Sequence, residues 1–178
     1  HGRGLVLVTG ATGSGKSTLL RVLCRLEAPP PGTVMLSAPG TQPTDILDVA
    51  LGDLRGALAM VAQRPYLFSR TLRENIAFGA EGAPEPERLE SSVRRACLEG
   101  DLAALPDGLD TVVGERGVTL SGGQRQRAAL ARAFYAPARV LILDDTLSAV
   151  DTDTEQRLIE GIYEGAGDRT TILVSHRV

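Results

Sequence analysis

The run Gly10-Ala11-Thr12-Gly13-Ser14-Gly15-Lys16-Ser17 constrains this chain more than any other stretch. It follows Leu5-Val6-Leu7-Val8, a continuous apolar run of the kind that forms a parallel strand buried on both faces. A helix is predicted to follow from about Lys16 to Leu26, ended by Pro29-Pro30-Pro31-Gly32. Strand, glycine turn and helix form the context in which such a run cradles phosphate. Gly10, Gly13 and Gly15 allow the backbone to turn tightly and to aim its N–H groups inward. The positive end of the helix adds to the grip. Lys16 supplies a mobile point charge for the β- and γ-phosphates, and Ser17 a hydroxyl for Mg2+. Ala11, Thr12 and Ser14 complete the loop, and Thr18 counts with the binding segment in a mainly structural role.

A second phosphate grip lies far along the chain. Leu120-Ser121-Gly122-Gly123-Gln124 opens a helix predicted to run to about Tyr135. Ser121 is a good N-cap, and Gly122 and Gly123 leave backbone N–H groups open to an anion. One ATP seldom needs two such grips from one polypeptide, so the economical reading is a protein that closes on ATP as a dimer. A third feature is the apolar strand Val140-Leu141-Ile142-Leu143, which runs into Asp144-Asp145. Ligands of open parallel sheets sit at the carboxyl ends of the strands, so these acids are expected to face the cradle. Asp144 is expected to hold Mg2+, mostly through water. Asp145 is placed to orient or polarise an attacking water.

The remaining elements fit around these three. Thr33–Leu36 and Leu58–Ala62 read as short strands with a turn-rich segment between them. Leu72–Phe78 and Glu85–Leu98 read as helices, Pro106-Asp107-Gly108 as a turn, Asp151–Gly165 as a helix and Thr170–Val174 as a β-branched strand. Strand–helix units at both ends with helices between imply a parallel α/β core carrying an inserted helical subdomain. The core is placed at about 1–69 and 136–178, and the subdomain at about 70–135.

Composition excludes several classes. With 178 residues and 43% hydrophobic residues, the chain supports one domain with a real core. A net charge of −3 disfavours a nucleic-acid footprint, which needs a basic face. Cys24 and Cys97 lie far apart in segments read as helical, so both are expected as buried thiols. No 18-residue apolar run and no signal peptide are present, so the chain as given reads as soluble and cytosolic. Leu5 sits close to the first residue and the last strand close to Val178, which reads as the excised core of something longer.

Taken in order, these motifs resemble the nucleotide-binding domain of ATP-binding-cassette (ABC) transporters, over nearly the whole chain. Gly10–Ser17 resembles the Walker A motif, Leu120–Gln124 the ABC signature, and Val140–Asp144 the Walker B strand. Gln63, after the strand ending at Ala62, is similar to the Q-loop glutamine; Ser148-Ala149-Val150-Asp151 is similar to the D-loop, and His176 to the switch histidine. Pro65–Phe68, Thr71–Ile76 and Gly114-Glu115-Arg116-Gly117 resemble exporter segments that face the membrane domain. The resemblance implies a RecA-like P-loop fold, ATP and Mg2+ as ligands, and a second nucleotide-binding domain as partner. It also implies transmembrane domains of an exporter and a location on the cytoplasmic face of the plasma membrane. Gln63 would sense Mg2+ and the attacking water, His176 would contact the γ-phosphate, and the signature would grip the partner's ATP.

Two departures stand out. The family's catalytic glutamate follows the Walker B aspartate, and here that residue is Asp145, shorter by one methylene. A misplacement of about 1 Å costs about 100-fold in rate, so the chain's own site is expected to be slow or degenerate. That asymmetry resembles one half of a heterodimeric exporter. The aromatic residue that stacks on adenine in the family precedes the Walker A strand, and no residue here takes that role. Two alternatives remain open: a non-hydrolysing ATP-binding module, and a nucleic-acid- or ribosome-associated ABC ATPase. The short interval from Lys16 to Asp144 and the absence of heptads weigh against the latter.

Overall fold

The computed structural model describes residues 4–37, 40–80, 82–114, 117–147, 150–166 and 169–175. Four strands form one parallel sheet: β1 (Gly4–Thr9), β4 (Leu58–Val61), β5 (Val140–Asp144) and β6 (Thr170–Ser175), in the order β1-β6-β5-β4. A small antiparallel pair, β2 (Met35–Leu36) and β3 (Thr44–Asp45), stands apart from it. Strand β5 lies between β4 and β6, and its Leu141, Ile142 and Leu143 are fully buried.

Successive side chains of a strand point to opposite faces, and here they sort into two apolar clusters. Helix α1 (Lys16–Leu23) covers one face, where Leu20 and Cys24 meet Ile142 and Val174. The other face is covered by α4 (Pro86–Arg95), α6 (Gly122–Tyr135) and α7 (Thr152–Ala166). There Leu89, Val93, Leu130, Phe134, Leu158 and Ile162 join Leu141, Leu143 and Leu173 in one cluster. The helices α3 (Leu72–Ile76), α4, α5 (Glu99–Ala103) and α6 all fall between β4 and β5 in the chain. Their cluster is continuous with the sheet, so the helical stretch shares the core of the strands.

Several expectations need correction. Strand β1 is not buried on both faces: Val6 and Leu7 are 49% and 56% exposed. Among the described residues it pairs with β6 alone, and of its side chains only Leu5 and Val8 reach the clusters. Helix α1 stops at Leu23 rather than Leu26, because Arg25 takes a left-handed φ of 46° that breaks the ladder. The segment expected to be only turns also holds β3 and α2 (Leu51–Gly56), too short to leave a periodic signal. The helix expected over Glu85–Leu98 ends at Arg95; Cys97 has φ 52° and is half-buried in the turn before α5, whereas Cys24 caps α1 and is buried. Both thiols are free.

Two leucines separate the two kinds of strand position. Leu141→Ala empties a site with no exposure and is expected to cost about 2–5 kcal/mol. Leu7→Ala, on the half-covered strand, is expected to cost well under that, within about 0.5 kcal/mol of neutral. Urea unfolding of the two variants checks the difference.

Candidate functional site

The turn between β1 and α1 is built on backbone angles that few residues adopt. Gly13 and Gly15 have φ of 82° and 91°, and Gly15 is the N-cap of α1. A side chain at either would be strained, so the loop shape depends on glycine there. Lys16 is 7% exposed, and its ammonium donates to the carbonyls of Gly10 and Ala11 at 2.7 and 2.8 Å and to Ser14 Oγ at 3.4 Å. A buried ammonium must be solvated by oxygen, and here the loop itself supplies it.

Strand β5 delivers the second half. Asp144, 5% exposed, ends the strand, and its Oδ1 accepts a hydrogen bond from Ser17 Oγ at 3.2 Å. The chain then turns sharply, with Asp145 at φ 51° and its N–H donating to Val174 O at 3.1 Å. Aspartate tolerates this left-handed region better than most side chains. Asp145 Oδ2 accepts from Gln63 Nε2 at 3.2 Å. Gln63 lies just beyond β4, so residues from four separate segments meet at one end of the sheet. The chemistry available is a cation beside hydroxyl and carboxylate oxygen, with a second carboxylate held by an amide. Thr146, fully buried, has an Oγ1 without a partner immediately after the pair.

Helix α6 starts with a capping box. Ser121 Oγ accepts from Gln124 N at 3.2 Å, and Gln124 Oε1 accepts from Ser121 N at 2.9 Å. The N–H groups of Gly122 and Gly123 lie in the first turn, where a helix offers no acceptor of its own. Arg127 holds α6 to α5 by a paired contact with Asp101 at 2.6 and 2.9 Å. Helices α1 and α6 lie on opposite faces of the sheet. His176, Ser148 and Ala149, and Glu115 and Arg116 lie outside the described residues. Asp151 is described: it accepts from Thr154 N at 2.9 Å and from Thr154 Oγ1 at 2.8 Å at the start of α7. Those two bonds, the backbone one first, hold its carboxyl below the usual carboxylate range.

One connection in the site, between Arg132 and Asn75 of the Thr71–Ile76 segment, is not shown by the sequence. Asn75, fully buried, accepts from Phe68 N at 2.9 Å and donates to Phe68 O at 3.0 Å. Arg132 of α6 donates to Asn75 O at 2.8 Å, to Asn75 Oδ1 at 2.7 Å and to Tyr66 O at 3.0 Å. These bonds tie the segment after Gln63 to the helix that begins at Ser121. Periodicity places both residues on helices, but pairings so distant in sequence need the fold to find each other.

The family model described as ABC transporter matches residues 2–148. The chain belongs to the ABC transporter family. A probable multidrug resistance ABC transporter ATP-binding/permease protein, YheI of Bacillus subtilis, is 43% identical over 171 residues, 96% of this chain and 28% of that protein. An ATP-dependent lipid A-core flippase of Burkholderia pseudomallei is 41% identical over 174 residues, covering 98% and 28%. Among solved structures, a bacterial Atm1-family ABC exporter with ATP bound superposes with a TM-score of 0.85 at 38% identity, covering 97% and 30%. The ABC domain thus spans less than a third of the length of these relatives, and its likeness is to the nucleotide-binding part of exporters. Its fold is that of a P-loop NTPase, a parallel sheet between helices. Among the described residues, no helix is long and apolar enough to cross a membrane.

Asp151 yields a pH prediction. Its folded pKa is lowered, so its contribution to stability is present above the unfolded value of about 3.9 and lost as pH falls through the folded value. Asp151→Ala is therefore expected to lower Tm at pH 7 and to lose that effect at pH 2, read by circular dichroism.

Proposed function

We propose that this ABC domain is the ATP-binding and ATP-hydrolysing motor of an exporter, acting with a second nucleotide-binding domain and with transmembrane domains at the cytoplasmic face of the membrane. The observation that carries the reading is the meeting of Lys16, Ser17, Gln63, Asp144 and Asp145 at the carboxyl end of the sheet. The relatives' names point the same way, being those of a multidrug transporter, a lipid flippase and an ATP-bound exporter.

On this reading the backbone of Gly10–Ser17, continued by Thr18, wraps the phosphates, and Lys16 leaves its loop carbonyls for the β- and γ-oxygens. Ser17 and the buried Asp144 present hard oxygen donors side by side, which suits Mg2+, with the Gln63 amide as a further oxygen. When bound, that ion would offset phosphate charge during transfer. Asp145 would orient the attacking water, with Gln63 holding its carboxylate, and His176 would contact the γ-phosphate. Ser121, Gly122, Gly123 and Gln124 would grip the nucleotide held by the partner. The domain divides, on the same reading, into a core of about 1–69 and 136–178 and a helical subdomain of about 70–135.

Asp145 limits the rate. Its carboxylate is one methylene shorter than glutamate, and about 1 Å of misplacement costs about 100-fold. The chain's own site is therefore slow, and its signature completes a faster site on a different partner, as in a heterodimeric exporter. ATP hydrolysis by the parent and by Asp145→Glu, with Lys16→Ala as blank, tests this. A rise of tenfold or more in Asp145→Glu is expected. Ordinary turnover in the parent, with no gain from glutamate, overturns the degenerate site and favours a homodimer. No turnover in either protein, with ATP still bound, favours a non-hydrolysing module.

A further inference from the structure

Gln63 stands between two anchors. Behind it, Val61 at the end of β4 is buried. Ahead of it, Leu67 is buried, and the Tyr66 carbonyl accepts from Arg132 Nη1 at 3.0 Å. The link from Gln63 to Tyr66 is short and stiff. Pro65 fixes its own φ and disfavours the helical region for Arg64. Few soft angles therefore separate Gln63 from the point that Arg132 holds.

Arg132 is an expensive residue to place on this face of α6. It is half-buried, and burial pushes its pKa down. Among the described residues no carboxylate pairs with it. Its Nε donates to Asn75 O at 2.8 Å and its Nη2 to Asn75 Oδ1 at 2.7 Å. Asn75 in turn accepts from Phe68 N at 2.9 Å and donates to Phe68 O at 3.0 Å. The guanidinium also lies 5.5 Å from the Phe68 ring centre and 6.0 Å from that of Phe78. A cation that gives up water for neutral oxygens alone costs free energy, and an apolar side chain would fill the place without that cost. Other arginines close on α6 itself. Arg88 and Arg95 border a cavity of about 280 Å3 between α4 and the end of α6, where they lie over Tyr135 and Phe134. Arg169 donates to the last carbonyls of α6. Arg132 alone among these four reaches the segment after Gln63.

We propose that Arg132 is a positioning residue: through Tyr66 and Asn75 it holds the segment after Gln63 so that the Gln63 amide stays within reach of Asp145. Gln63 Nε2 stands 3.2 Å from Asp145 Oδ2, at the long end of a hydrogen bond, so a displacement of about 1 Å breaks the contact. Asp145 then loses the amide that orients it. The effect on rate rests on the ATPase reading; the placement of Gln63 does not.

The Gln63 side-chain amide resonances test the placement in the ligand-free protein, assigned by their loss in Gln63→Leu. Asp145→Ala gives the position of the released amide. Arg132→Met is expected to move the pair at least halfway to that position. Arg132→Lys, which keeps the charge but not the planar fork, is expected to fall between Arg132→Met and the parent. Leu158→Ala, which empties a buried site on α7, is expected to lower Tm and leave the pair unmoved. In ATP hydrolysis, Arg132→Met is expected to lower kcat at least fivefold with KM for ATP within twofold, because the cradle around Lys16 is untouched. If the parent does not turn over ATP, the ATPase reading fails and the resonances still decide the role of Arg132. Where Arg132→Met does not fold, Arg132→Lys carries both readings. A shift in the arginine variants no larger than in Leu158→Ala overturns the proposal. So does a parent spectrum identical to that of Asp145→Ala, since no contact then exists to be held.

Discussion

The burial of β5 on both faces is the constraint on which the rest depends. Leu141 and Leu143 face the large helical cluster while Ile142 faces α1, and none of the three is exposed. Each such side chain contributes about 1.5–3 kcal/mol by leaving water. That anchoring makes the end of the strand a rigid place to hold charge. Asp144 is carried there by strand register, opposite Val174, and meets Ser17 from the neighbouring turn. Asp145 then leaves the strand through a left-handed turn that brings its carboxylate to Gln63 beyond β4. Two consecutive acids thus take different partners because the backbone changes hand between them.

The helical layer answers a second constraint. Helix α6 starts at an exposed capping box and ends deep in the core, where Phe134 and Tyr135 are buried. Its middle is held to the segment after Gln63 through Arg132 and Asn75. The segment after Gln63 is therefore fixed to the helix that begins at Ser121. This physical link between the two ends of the proposed mechanism is made of hydrogen bonds between residues far apart in sequence. The same helix places its last carbonyls over Arg169, so one element runs from the exposed Ser121 cap to the cavity beside α4.

Much of this was legible beforehand because its signals are local. Glycines followed by Lys16-Ser17, an apolar strand ending in acids, and a serine–glycine helix start each carry their meaning within a few residues. Such signals place β5, β6 and α6 to within about a residue. Where signals were short or mixed, the reading failed. Helix α2 and strand β3 are too brief for periodicity, Arg25 ends α1 without a proline or glycine at that position, and the apolar run at Leu5–Val8 hides a half-covered edge.

By itself the sequence determined the chemistry: which residue types stand at which spacing, and hence a phosphate cradle, a pair of carboxylates and a second helix start. Tertiary structure decided their relation. Only the packed sheet shows that the cradle helix and the signature helix lie on opposite faces, that Gln63 reaches Asp145, and that Lys16 is solvated by its own loop. Only packing reveals three arginines, from α4 and from the turn before β6, around one cavity. The reason is range: backbone preference and hydrophobic period act over a few residues, whereas contacts across the fold depend on which faces the whole chain buries together.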